Sequence, residues 1–397
     1  MKIIVSSLID LQKSSHNSRL HQFLKYLLKN HEISVLSIND WWKSNWDDKS
    51  KEYQDDFQHL FDNIESMYLT DKKISPVLQE LLCIVRPKKI EKILKKSDFD
   101  IHFSYNSLLC GYVVSKYFNS RNVNTIYDIA DDLPEMARTS PQIPWPLKPF
   151  SGLASSLVLK ENIKLAKKVT CTTDSLIASC KIPNNKSVLI PNGVDTELFR
   201  EYPSCNLRAK LGIDNCFVIG HVGVLREWLD FRPLFSAFRT LSKSMDSRLL
   251  IVGGGIGYDE TVRLAEEYGI SKSIVFTGTV PYSQVPYYIS CMDVGVIPFK
   301  QDRVSQNSLP LKLFEYMACN KPVISTNVQG VIENFKNSVL YASNSEDYIN
   351  KIQTIFLDDE LKKHLGSKGR SLVVTNYDWR IITESLENLF ENSEGVS

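Results

Sequence analysis

The residues of this chain best suited to chemistry on an anion lie in one short run, Asn307-Ser308-Leu309-Pro310-Leu311-Lys312-Leu313-Phe314-Glu315. Proline is favoured in the first turn of a helix, and Asn307 and Ser308 are the expected caps. The first amides of such a helix have no intrahelical partner and sit at the positive end of its dipole, which makes an anion site. Pro310 carries no N–H, so Leu311 and Lys312 must supply the amides, and the Lys312 ammonium adds a point charge beside them. Glu315 stands three residues on, about one turn along the same face, where a carboxylate can accept both hydroxyls of a ribose. The ordinary alternative is an exposed Lys312–Glu315 ion pair on an amphipathic helix, and the pattern alone favours it.

Other motifs are weaker. Gly253-Gly254-Gly255-Ile256-Gly257 follows an apolar run and precedes a helical period, but it fails the G-x-G-x-x-G spacing and reads better as a tight strand-to-helix turn. No G-x-x-x-x-G-K-[ST] exists, which removes P-loop chemistry. The second half has no D-x-D at a strand end, so no divalent metal is expected to be needed for chemistry. His16, His102 and His221 lie near strand ends, and each reads best as a satisfied structural histidine. The eight cysteines include no C-x-x-C pair, so they read as small hydrophobes in a reducing compartment.

The elements needed to position these groups are legible as alternating apolar runs and helical periods. Strands are expected at Lys2–Ser6, Ile33–Ser37, Ile101–Ser104, Thr125–Ile129 and Lys168–Thr172, and helices at Asn17–Lys29 and Pro76–Lys96. The aromatic stretch from Trp41 to Phe61 has no clean period and reads as a loop with short helices. A second series runs through strands at Phe217–His221, Arg248–Val252, Ser273–Thr277, Val294–Pro298 and Pro322–Ser325. Its helices are expected at Phe231–Ser242, Tyr258–Tyr268, Val285–Cys291, Pro310–Cys319, Ser345–Leu365 and Trp379–Asn392. This alternation implies two α/β units, each with a doubly wound parallel sheet that binds ligands at the carboxyl ends of its strands.

In their order and spacing, the segments VLIPNGVDTELF, LLIVGGGIGYDE, IVFTGTV, VPYYISCMDVGVIPF and SLPLKLFEYMACNKPVIST resemble the GT-B glycosyltransferases, and within them the retaining enzymes of family 4. The resemblance covers nearly the whole chain and is densest over residues 186–335. It implies two Rossmann-like domains facing across a cleft. The first, residues 1–195 plus 378–397, would bind the acceptor and include a returning C-terminal helix. The second, residues 196–377, would bind a nucleotide-sugar donor. By the same resemblance Glu315 holds the donor ribose, the main chain of Thr279 and Val280 reads the base, and the backbone from Leu309 to Lys312 meets the diphosphate.

The chain also departs from the family pattern. The first Glu of the family's E-x₇-E falls on Asn307, which would face the donor sugar together with Ser308. The usual Arg and Lys after the first strand of the second domain fall on Val224 and Leu229, and Arg226, Trp228 and Arg232 stand nearby. Arg226 or Lys312 is left to meet the leaving-group charge. The family's Gly-Gly loop is replaced by Ser14-Ser15-His16-Asn17. In the first domain, the segment from Tyr127 to Glu135 makes Asp131 the candidate for contact with acceptor or reacting sugar, a helix cap or loop carboxylate being the alternative.

The implied activity is retaining, metal-independent transfer of a sugar to a carbohydrate or lipid-linked acceptor in surface polysaccharide or glycoconjugate synthesis. Two rivals are a GT-B sugar-nucleotide 2-epimerase and a non-catalytic subunit of a glycosyltransferase pair. With 397 residues and a net charge of +1, the chain suits neither a disordered protein nor one that lives on nucleic acid. Its N-terminal apolar run is too short for a secretory signal, so a cytoplasmic location is expected, extending to the inner face of a membrane. Trp145–Lys168 mixes apolar residues with five lysines. It reads first as an ordinary buried helix with a solvated lysine face, and second as a peripheral membrane contact.

Overall fold

The computed structural model describes residues 1–11, 19–39, 57–95, 97–140 and 143–393. The Ser14–Asn17 loop with His16, and the aromatic stretch from Trp41 to Asp56, lie outside them. The chain divides into two compact units, Met1–Pro191 with Arg380–Ser397, and Asn192–Trp379. The boundaries differ by a few residues from 195 and 378 because Val194 bridges to Asp378, with the Val194 amide donating to the Tyr377 carbonyl. That short pairing holds both crossing segments in the second unit.

The first unit is built on seven parallel strands: β1 Lys2–Ser7, β2 Glu32–Ser37, β3 Glu65–Tyr68, β4 Ile101–Tyr105, β5 Asn124–Ile129, β6 Lys168–Cys171 and β7 Ser187–Leu189. Their order is β3-β2-β1-β4-β5-β6-β7. The strand cores are buried on both faces, as Ile3–Val5 and Ile126–Ile129 show, because helices cover both sides. Strands β3 and β7 were not expected, since ESMY and SVL are too short and polar to form an apolar run. The helix expected over Pro76–Lys96 is two, Pro76–Val85 and Pro87–Leu94, broken where Pro87 denies the helix an amide. The final helix, Trp379–Glu391, packs in this unit, with Phe390 5.3 Å from Phe103 and Glu387 accepting from Asn30 and His31.

The second unit holds six parallel strands: β8 Phe217–Val222, β9 Ser247–Val252, β10 Ile274–Gly278, β11 Val294–Ile297, β12 Val323–Ser325 and β13 Leu340–Tyr341. Their order is β10-β9-β8-β11-β12-β13. The chain winds outward from β8 to β10, then returns beside β8 to continue through β11. The reversal between β8 and β11 is the crevice where such sheets take ligands. The helix expected over Ser345–Leu365 is also two, Ser345–Leu357 and Asp359–Asn376, because the Asp358 carboxylate caps the second by accepting from the Leu361 amide.

Candidate functional site

The helix Leu311–Ala318 lies against this reversal. It buries Leu313, Phe314 and Met317, and Tyr316 fixes its height on the sheet by accepting a 2.7 Å bond from the Val222 amide at the end of β8. The expected caps are absent. Ser308 donates to the Val304 carbonyl at 3.0 Å and Asn307 closes the short Arg303–Gln306 helix, so Pro310 takes the cap position without a side-chain bond. The preceding helix takes the Ser308 hydroxyl because it ends within hydrogen-bond reach of it. Leu309 is buried, and its carbonyl accepts from Asn192 at 2.6 Å, which fixes the entry to the helix. Among the described residues, the Leu311 and Lys312 amides have no partner, as the first turn of a helix requires.

Lys312 and Glu315 do not form an exposed pair. Glu315 is buried, and its Oε1 accepts from the Tyr282 hydroxyl at 3.3 Å. The half-buried Lys312 reaches across to β8, its Nζ 3.3 Å from His221 Nε2. His221 Nδ1 lies 3.0 Å from the Val296 carbonyl on β11. A carbonyl only accepts, so the proton sits on Nδ1 and Nε2 accepts from the ammonium. Burial first, then the Lys312 charge, hold the His221 pKa well below its usual value, so the ring is neutral. Burial raises the Glu315 pKa to about 7, against the opposing pull of Lys312 and Tyr282. Burial likewise lowers Lys312 to about 8, against the opposing pull of Glu315.

The strand-end loops are packed tightly around this pair. Gly223, directly after β8, has φ +130°, and a Cβ there would come within 2.8 Å of Lys312 Nζ. Gly253, after β9, has φ +134°, and a Cβ there would stand 2.1 Å from the Gly223 carbonyl oxygen. The glycine run therefore serves close approach of backbones, as a tight turn does. Thr279, exposed after β10, packs its hydroxyl against Gly254, and the half-buried Val280 rests on the core. Lys312, Glu315, Thr279 and Tyr282 thus meet through a chain of contacts at the carboxyl ends of β8, β9 and β10. Arg226 is less closely joined. Among the described residues its guanidinium meets the Trp228 ring, 5.2 Å away, and Arg232 is held by Asp230 at 2.7 Å and 2.9 Å.

In the first unit, Asp131 stands half-buried just beyond the end of β5. Its Oδ2 accepts from Asn106 Nδ2 at 3.1 Å, and Asn106, at φ 44°, also links by its amide to the Asp128 carbonyl on β5. The helix cap is its neighbour Asp132, which accepts from the Glu135 amide at 3.2 Å. Asp128 points into the core instead, where Arg19 grips it with bonds of 3.1 Å and 3.0 Å and also donates to the Ile190 and Pro191 carbonyls. His102 is satisfied between Ser6 at 2.9 Å and Thr125 at 3.1 Å.

Sequence reasoning missed the Arg19–Asp128 pair, the Tyr282 hydroxyl and the seat that His221 and Gly223 make for Lys312. The available signal was His221-Val222-Gly223 at the end of an apolar strand.

The description "Glycosyl transferases group 1" belongs to the family model that matches residues 205–372. The chain is 28% identical over 236 residues to TuaH, a teichuronic acid biosynthesis glycosyltransferase of Bacillus subtilis, covering 55% of each protein. It is 25% identical over 239 residues to a GDP-mannose-dependent alpha-(1-6)-phosphatidylinositol monomannoside mannosyltransferase of Mycobacterium tuberculosis, covering 57% of this chain and 62% of the relative. Both matches span less than two thirds of the relative's length. Among solved structures, HepE of Anabaena in complex with UDP-glucose superposes with a TM-score of 0.74 at 16% identity, covering 99% of this chain and 100% of that one. Residues 205–372 therefore resemble the glycosyl transferases group 1 family, and the chain has the GT-B fold.

Proposed function

We propose that the chain is a retaining, metal-independent glycosyltransferase that moves a sugar from a nucleotide-sugar donor to a carbohydrate or lipid-linked acceptor in surface polysaccharide or glycoconjugate synthesis. The observation that carries this reading is the helix start at Leu311–Lys312. Two unpartnered amides, an ammonium and a buried carboxylate one turn on stand there at the switch point of a parallel sheet. The Glu315 carboxylate accepts the ribose hydroxyls, and the main chain of Thr279 and Val280 meets the base. The Leu311 and Lys312 amides take the diphosphate, with Asn307 and Ser308 bordering the sugar.

Transfer breaks the bond between the anomeric carbon and the diphosphate oxygen, and negative charge grows on the departing oxygen. Fixed dipoles and a placed cation stabilise that charge without rearranging during the reaction. Lys312 supplies the cation. Neutral His221 holds it by accepting a hydrogen bond from the ammonium at Nε2 and adds no competing charge. Arg226 is the second cation of the loop after β8. The acceptor hydroxyl attacks on the face the diphosphate leaves, its proton passes to the departing phosphate oxygen, and the anomeric configuration is kept. Asp131 contacts the acceptor or the reacting sugar from the first unit.

The relatives named above act on GDP-mannose or take part in teichuronic acid synthesis, and HepE binds UDP-glucose. These names set the donors to test first. The purified chain is incubated with UDP- and GDP-sugars, candidate acceptors and EDTA, and the product's anomeric configuration is read by NMR. Transfer with retained configuration is expected. Inverted product, or turnover strictly dependent on added divalent metal, would overturn the mechanism. Epimerised donor without transfer would identify the epimerase rival, and donor binding without any turnover would identify a non-catalytic subunit.

A further inference from the structure

The first unit exposes large apolar side chains in one place. Of the seventeen such residues exposed among the described ones, ten lie in two short segments, Val77–Val85 and Trp145–Leu157. The Lys148–Leu165 helix is therefore not the ordinary buried helix the sequence favoured. It buries Gly152, Leu159, Asn162 and Ile163, and presents Phe150, Leu153 and Leu157 to the outside at 70%, 62% and 59% exposure. These three follow at i, i+3 and i+7 and make one stripe, which Lys160 continues at i+10. Just before the helix, Trp145 is 82% exposed.

The second apolar stripe, on the Pro76–Val85 helix, joins the first. Both helices pack on the Leu109–Asn119 helix. Val77 and Leu78 line one side of an open apolar pocket of about 670 Å³, and Leu147, Phe150 and Ala154 line the other. Apolar patches larger than a few hundred Å² are uncommon on monomeric soluble proteins and mark an interaction surface.

Charge decides what meets this surface. The helix that follows directly, Pro87–Leu94, carries exposed Lys88, Lys89 and Lys92 against one half-buried Glu91. On the Lys148–Leu165 helix the single acid, Glu161, is paired to Lys164 at 2.6 Å, and Lys160 stays exposed. An apolar patch with exposed lysines on its own and the adjoining helix, and an exposed tryptophan beside it, fits an anionic bilayer, whose headgroups attract the ammonium groups while the acyl region takes the apolar stripe. None of the helices among the described residues is long and apolar enough to cross a membrane, so the contact is peripheral.

We propose that this face of the first unit docks on an anionic lipid bilayer, with Trp145, Phe150, Leu153 and Leu157 entering the interface and Lys88, Lys89, Lys92 and Lys160 held at the headgroups. This contact does not depend on the sugar-transfer reading, and its test needs no activity. The full chain is floated with vesicles of phosphatidylcholine alone and with vesicles containing an equal part of phosphatidylglycerol. Binding to the anionic vesicles is expected, weakening as salt is raised. The variant Phe150→Ser/Leu153→Ser/Leu157→Ser should lose binding by about tenfold or more, since each side chain gives up its apolar burial. Lys160→Glu should weaken binding only to the anionic vesicles. The substituted groups are exposed, so circular dichroism and the melting temperature should not move. Equal binding by wild type and triple variant would overturn the proposal. So would no vesicle binding by the wild type, alone or with self-association in light scattering that the triple variant abolishes, which would assign the face to a second copy.

Discussion

Titration of Glu315 offers the most demanding check on the donor site. The carboxylate must be ionised to accept two hydroxyls, and burial raises its pKa to about 7. With that value, about three quarters of the protein carries the carboxylate at pH 7.5 and about one thirtieth at pH 5.5, so donor affinity should fall roughly 25-fold between them. Isothermal titration calorimetry with a UDP- or GDP-sugar measures this directly, because the diphosphate diester has no group titrating in that range. Above the Lys312 value of about 8, affinity should fall again as the ammonium is lost. The two limbs belong to the coupled pair.

Glu315→Gln removes the charge but keeps the shape. It should bind about 10- to 100-fold more weakly at pH 7.5, the range for losing a charge-assisted bond, and its acid limb should vanish. Stability should move the other way. The folded state binds the Glu315 proton more tightly than the unfolded state, so keeping this group costs stability that grows as pH rises from about 4.5 to about 7. The cost reaches about 3 kcal/mol at pH 8, and the unliganded Glu315→Gln protein should melt higher there. Flat donor affinity from pH 5.5 to 7.5 in the wild type, or an acid limb that survives in Glu315→Gln, would refute the reasoning.

Lys312→Ala should lower kcat more than it raises KM for the donor in steady-state kinetics, because the ammonium acts on charge that grows during bond breaking. Gly223→Ala places a methyl group 2.8 Å from Lys312 Nζ at a φ of +130°, and should lower turnover about tenfold by moving that ammonium, with donor affinity changed less. Arg19→Met leaves Asp128 buried without its partner and should cost about 3–5 kcal/mol in urea unfolding of the first unit, much of it recovered in Arg19→Met/Asp128→Leu. A Cβ at Gly220 would stand 2.0 Å from Met292 Sδ, so Gly220→Ala should destabilise by about 1–3 kcal/mol, and Met292→Ala should relieve the clash.

The fold was legible wherever elements were long and periodic. Phe217–Val222 and Ile101–Tyr105 read as strands because both faces are buried and the run is mostly apolar. Glu65–Tyr68 did not, because an edge strand with one partner needs little apolar surface. Within the site, Lys312 and Glu315 were visible through their spacing, but not their environments. Whether that pair is exposed depends on Tyr282, His221 and Gly223, and the last two lie about ninety residues away in sequence. The Arg19–Asp128 pair was hidden for the same reason. Its 109-residue separation leaves no local pattern. Asp131 and Asp132 were indistinguishable as letters, and only the bond to the Glu135 amide separates the cap from the strand-end carboxylate that accepts from Asn106.

The central claim is that the nucleotide sugar is held at the start of the Leu311–Ala318 helix. A crystal structure of the chain with a donor that the calorimetric screen identifies tests it most directly. The account predicts the ribose hydroxyls on the Glu315 carboxylate, and the diphosphate at the Leu311 and Lys312 amides with the Lys312 ammonium beside it. A nucleotide bound elsewhere, or one seated there with its ribose turned away from Glu315, would contradict it.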